Sequence, residues 1–138
     1  MSDIAELERQ ALARTWFYPF RLRSGQVTAT YDGGVLDRIH STRREMLDAA
    51  LATTFGEHRA GLSAIDLACH QGWFAAHLAE RGFGRVTGID ARPEHVADAT
   101  LIRDALGHAQ LDFQQGDVHA LDTAALGQRD LVLCFGLL

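Results

Sequence analysis

Between Leu62 and Asp90 the chain sets two carboxylates around a turn of small residues, at a spacing that can hold a charged nucleoside ligand. Asp66 closes an apolar run, the turn leads to Gly72, a helical stretch follows, and a second apolar run ends in Asp90. In an open parallel sheet, ligands bind beyond the carboxyl ends of the strands, and an acid about 20 residues past the glycine loop holds ribose hydroxyls. Asp90 stands at that place. A carboxylate at the first strand end, where Asp66 lies, would repel a dinucleotide pyrophosphate and would suit a ligand bearing an ammonium and a sulfonium. Its charge therefore favours S-adenosylmethionine over NAD, for which no G-x-G-x-x-G run is present. The plainer role for either acid is to cap backbone donors of the loop that follows it.

These residues need a scaffold, and the hydrophobic pattern supplies one. From Leu62 onward, strand-like segments at 63–67, 85–89, 111–114 and 131–135 alternate with helical stretches at 73–81 and 93–106, the pattern of a parallel sheet. Pro93 suits the first turn of its helix and Gly107 its end. Upstream, Ser2 or Asp3 can cap a helix running to about Arg14, with Ile4, Leu7, Ala11 and Leu12 on one face. Trp16, Phe17, Tyr18 and Phe20 cluster around Pro19, which blocks helix continuation. Residues 27–31 alternate like a short strand, and the turn at Asp32-Gly33-Gly34 precedes a second helix. Leu36, Ile39, Met46, Leu47, Ala50 and Leu51 mark that helix up to about Phe55, with Gly56 as its stop. The expected organisation is an N-terminal helical and aromatic cap over 1–61 and a nucleotide-site unit over 62–138.

The run Ile65-Asp66-Leu67-Ala68-Cys69-His70-Gln71-Gly72 resembles the first motif of the Rossmann-like, class I, S-adenosylmethionine-dependent methyltransferases. Val86-Thr87-Gly88-Ile89-Asp90 resembles their second, Phe113-Gln114-Gln115-Gly116-Asp117-Val118 their third-strand segment, and Asp130-Leu131-Val132-Leu133-Cys134-Phe135-Gly136 their fourth strand. The family has an acid followed by glycines at alternate positions. Here Ala68 and His70 replace the first two glycines and Gly72 keeps the third.

The resemblance implies an α/β fold with strand order 3-2-1-4 and S-adenosylmethionine as cofactor. It implies that the loop from Asp66 through Ala68, Cys69, His70 and Gly72 holds the methionine moiety, and that Asp90 and Ala91 meet the ribose. Asp117 and Val118 would meet the adenine edge, and Cys134 would sit where the fourth strand faces the methyl group and the acceptor. The family's full sheet has seven strands in the order 3-2-1-4-5-7-6, so the later strands are expected to be missing here and the chain to be an N-terminal fragment. An uncovered fourth strand would also favour self-association into a homo-oligomer.

With 138 residues, 47% of them apolar, and only two prolines, the chain is of a size to bury one core. Its net charge of -5 gives no basic footprint for nucleic acid. No apolar run reaches the roughly 20 residues of a membrane span. Cys69 and Cys134 make no disulfide framework and are expected to be free thiols, and the N-terminus lacks a signal-peptide pattern, so a cytoplasmic setting is expected. The seven histidines show no zinc-site spacing, and no metal is expected. Two alternatives stand beside the methyltransferase reading: a module that keeps the fold without catalysis, and an NAD-binding domain. The acceptor and any catalytic residue stay unassigned at this level.

Overall fold

The four strand-like segments pair into one sheet. The computed structural model describes residues 3–137. In it β1 (Ser63–Leu67), β2 (Arg85–Asp90), β3 (Leu111–Gln115) and β4 (Leu131–Leu133) lie in the order β3-β2-β1-β4, every pair parallel. This is the expected α/β class and the expected strand order. Asp66 pairs in register with Gly88 on one side and Leu133 on the other, so β1, β2 and β4 open on one common edge.

Helices make the crossovers. Between β1 and β2 runs α3 (Trp73–Glu80), and between β2 and β3 runs α4 (Pro93–Leu106), which begins at its proline and ends at Gly107 with φ 75°. The α1 helix (Ile4–Ala13) packs on α4. The Asp3 carboxylate caps α1 by accepting from the Ala5 N–H at 3.2 Å, while Ser2 lies outside the described residues. The α2 helix (Asp37–Phe55) is fastened to α3 by Asp48, whose Oδ1 is 2.7 Å from His77 Nε2 and which takes two bonds from Arg81. Burial opposes ionisation of Asp48, but the bonds from Arg81 and His77 outweigh it and hold the carboxyl down at about 2. One helical turn, α5 (Thr123–Leu126), links β3 to β4.

A single buried cluster takes Trp16, Phe20 and Leu51 from the N-terminal segment together with Leu78, Phe83, Ile102 and Leu111 around the sheet. Each such side chain contributes roughly 1.5–3 kcal/mol by leaving water. Among the described residues no helix is long and apolar enough to cross a membrane.

Three expectations need correction. Residues 27–31 form no strand; they make isolated bridges, Trp16 with Thr30 and Arg21 with Val27. The segment 16–31 turns back on itself at Gly25, and its backbone groups bond irregularly, with the Phe20 N–H donating to Thr28 Oγ1. On α2 the buried positions are His40, Leu47 and Leu51, whereas Ile39 and Met46 are exposed. Finally, β4 stops at Leu133, because the turn Phe135–Leu137 bends back over the loop after β1. A Cβ on Gly136 would overlap the Ala68 carbonyl oxygen, an approach only glycine permits.

Candidate functional site

The loop after β1 is the centre of the site. Ala68 and His70 both have φ 56°, and Gly72 has φ 86°. Left-handed backbone is costly for residues with a Cβ, of the order of 1–3 kcal/mol each, and it persists only where the surroundings enforce it. The enforcement is visible. The Cys69 N–H donates to the Ile89 carbonyl at 2.9 Å, the His70 N–H to Asp90 Oδ2 at 2.8 Å, and the Gly72 N–H to the Cys69 carbonyl at 2.9 Å. Gln71, buried, accepts from the Phe17 N–H and donates to the Thr15 carbonyl and to Asp98 on α4. Below the loop, the Phe113 ring lies against Gly72 and Gly88, where an added Cβ would come within 2.6 and 2.5 Å of it.

Two cavities flank this loop and share Ala68 and His70. The first has Asp66 and Cys69 among its lining, with aromatic side chains from the N-terminal segment and α3. Asp66 is 2% exposed, and among the described residues no donor reaches its carboxylate. Burial, then the nearby charge of Asp90, pushes its pKa up to about 7. The same burial, followed by the charges of Asp66 and Asp90, pushes the Cys69 thiol far up, so it is no thiolate nucleophile at neutral pH.

The second cavity is lined by Asp90, Ala91, Arg92, His95, Asp117 and Val118. Asp90, 8% exposed, is already engaged: beside the His70 N–H it accepts from the Arg92 N–H at 3.0 Å, and its Oδ1 is 3.1 Å from His95 Nδ1. The His70 and His95 rings stack with centroids 3.9 Å apart. Burial, then the neighbouring His95, lowers the pKa of His70.

Of the sequence candidates, Asp66, Ala68, Cys69 and His70 thus face the first cavity, and Asp90, Ala91, Asp117 and Val118 face the second, with Ala68 and His70 shared. Gly72 lines neither and instead seats the loop on Phe113. Asp117 is exposed and accepts from the His119 N–H at 2.9 Å, capping the short turn Val118–Ala120. Cys134 is exposed and lines neither cavity, since β4 ends before it. Both thiols are free. Sequence reasoning missed His95 and Arg43. The signal for His95 was its place in the first turn of a helix that begins with Arg92-Pro93 directly after Asp90. For Arg43 there was none, because α2 is remote in sequence from the loop.

A buried carboxylate without a donor is costly to ionise, and a cationic ligand group would satisfy it. Across the loop stand acceptors suited to hydroxyls. The pair fits a ligand that is cationic at one end and carries a sugar at the other, as S-adenosylmethionine does.

A family model described as a methyltransferase domain matches residues 64–138. Among solved structures, the chain is similar to the N-terminal domain of EvdMO1 with SAH bound, at TM-score 0.72 and 24% identity, covering 97% of this chain and 54% of that one. The same domain in the presence of SAH and D-fucose gives TM-score 0.71 and 24% identity, with 97% and 53% covered. Coclaurine N-methyltransferase bound to N-methylheliamine and SAH gives 0.56 and 21%, with 65% and 26% covered. At these identities the likeness shows the fold. The chain spans about half the length of the EvdMO1 domain it matches. No curated protein matches it.

Proposed function

The chain belongs to the methyltransferase-domain family, whose model spans more than half of it, and on that premise we propose that it binds S-adenosylmethionine across the two cavities and takes part in methyl transfer to an acceptor. The observation that carries this reading is the buried, donor-free carboxylate of Asp66 on one side of the loop, with Asp90 on the other. Asp66 pairs with the ammonium of the amino-acid end, directly or through water. Asp90 takes ribose hydroxyls on the lone pairs its backbone donors leave, in charge-assisted bonds. Asp117 and Val118 border the adenine.

When bound, the cofactor supplies a methyl group on a sulfonium, a carbon already activated for displacement. What the chain contributes is placement. The loop from Ala68 to Gly72, held in its left-handed turns by Asp90, Ile89 and Gln71, fixes the donor, and the aromatic walls of the first cavity keep water from it. No side chain is assigned as a base. Two free thiols suit a reducing, cytoplasmic setting.

Calorimetric titration of the chain with S-adenosylhomocysteine, the demethylated product, tests the reading, with NAD as the control. Saturable binding of the first and none of the second is expected. A folded chain that takes up NAD, or neither ligand, overturns it.

A further inference from the structure

The cavity that holds Asp66 is walled by rings from three parts of the chain. Phe17 and Tyr18 come from the segment after α1, Trp73 and Phe74 from the start of α3, and Phe135 from the turn after β4. The rings brace one another. Tyr18 stacks on Trp73 with centroids 5.2 Å apart and planes at 24°, and Phe74 meets Tyr18 and Phe135 edge-on. Free space amounts to about 520 Å³, counting the open mouth. Asp66 is its buried end, and Arg43 on α2 is exposed. Arg43 spends one N–H on Tyr18 Oη at 3.0 Å and is in none of the ion pairs among the described residues.

Walls of this kind select by shape and charge. Aromatic faces favour a flat, apolar partner, whereas each hydroxyl of a polyol that loses water here without a new partner weakens binding. A cationic acceptor would meet Arg43. A guanidinium with donors to spare favours a carboxylate or similar oxyanion, and its planar fork fits one well. Resting on the cofactor reading above, we propose that the methyl acceptor is an aromatic compound carrying an anionic oxygen group, its ring among Phe17, Tyr18, Trp73 and Phe135 and its anion on Arg43. Arg43 is thereby a specificity residue of the acceptor site. The cofactor's amino-acid end takes the buried part of the same cavity, and the acceptor enters through the mouth.

The test uses the chain loaded with S-adenosylhomocysteine and three probes read by tryptophan fluorescence: benzoate, its neutral relative benzyl alcohol, and the neutral sugar D-fucose. Benzoate is expected to bind about tenfold more tightly than benzyl alcohol, the factor that one net charge-assisted bond of about 1.4 kcal/mol gives. D-fucose is expected to bind more weakly than either. Arg43→Met should bring benzoate down to the level of benzyl alcohol, and Arg43→Lys should restore part of the difference. A chain that takes up S-adenosylhomocysteine but treats benzoate and benzyl alcohol alike, or prefers D-fucose, overturns the acceptor class alone. Unchanged benzoate affinity in Arg43→Met overturns the assignment of Arg43. A chain that does not take up S-adenosylhomocysteine overturns the cofactor reading, and the acceptor class falls with it.

Discussion

Asp66 and Asp90 end neighbouring strands of one sheet and face opposite sides of one loop, yet their surroundings are opposite. Asp90 is bound by two backbone N–H groups and lies beside His95, so it organises the loop before any ligand arrives. Asp66 is more deeply buried and has no donor among the described residues, so its charge is opposed by the fold. One carboxylate therefore stabilises the empty protein and the other destabilises it. The lesson is that a fold can build one half of a ligand site from its own hydrogen bonds and leave the other half unsatisfied, for the ligand to complete. If this contrast is right, removing the charge at the two positions must move stability in opposite directions.

The largest effect is expected at Asp90. Asp90→Ala removes the acceptor of the His70 and Arg92 N–H groups and strands the first of them under the loop. At a net cost of about 1–3 kcal/mol for each donor left unpaired, the protein should lose about 3 kcal/mol of unfolding free energy. Urea denaturation followed by circular dichroism measures it. A loss below about 1 kcal/mol, the low end of that range, would mean that the loop is held by its other contacts and that Asp90 is as free as Asp66.

Asp66→Asn should act the other way. Because the folded pKa of Asp66 is raised, to about 7 from an ordinary 3.8, the folded state binds more protons than the unfolded chain between those values, and stability falls as pH rises through that window. Above pH 7 the full penalty applies, at most about 4 kcal/mol at roughly 1.36 kcal/mol per tenfold. Part of it stays with the substituted side chain, whose amide is buried without partners. The substitution should therefore stabilise the empty chain by about 2 kcal/mol at pH 8 and give no gain at pH 4, as denaturation at the two pH values would show. Affinity for S-adenosylhomocysteine should drop by about tenfold or more through loss of the charge pair. In the unsubstituted chain, binding must expel the Asp66 proton below pH 7. Affinity should thus rise from pH 5 to 7 and flatten above, with proton uptake by the buffer visible in calorimetry. A flat profile would mean that Asp66 does not meet the ligand's cation.

The contrast was only half legible in the sequence. Alternation of strand-length and helix-length segments placed β1, β2, β3 and the helix begun by Pro93 almost to the residue, because Pro93 and Gly107 mark the ends of one crossover helix and so bound the strands on either side of it. The positions of Asp66 and Asp90 followed from strand ends. What each carboxylate bonds did not, since that depends on loop backbone bent by the bonds of Gln71 to Phe17 and Asp98 and by contacts with Phe113 and Gly136, residues remote from the loop in sequence. For the same reason the aromatic run 16–20 was visible as a cluster, but its contacts with Trp73 and Phe74 were not. The strand expected at 27–31 failed because Thr28 spends its hydroxyl on the Phe20 N–H and the paired backbone is irregular.

The smallest effect concerns the loop that separates the two carboxylates. His70 occupies a left-handed conformation where a glycine would be at ease, and in that conformation its N–H donates to Asp90. His70→Gly relieves the strain and loses the stacking on His95; His70→Ala loses the stacking and keeps the strain. The difference between the two variants isolates the backbone cost, and the glycine variant should be the more stable by about 1 kcal/mol, although glycine in an ordinary right-handed site would be the less stable. Chemical denaturation of the pair decides it. If alanine proves the more stable, the loop relaxes out of its left-handed turn when the ring is removed, and the Asp90 side of the site is held by the imidazole stack rather than by the backbone.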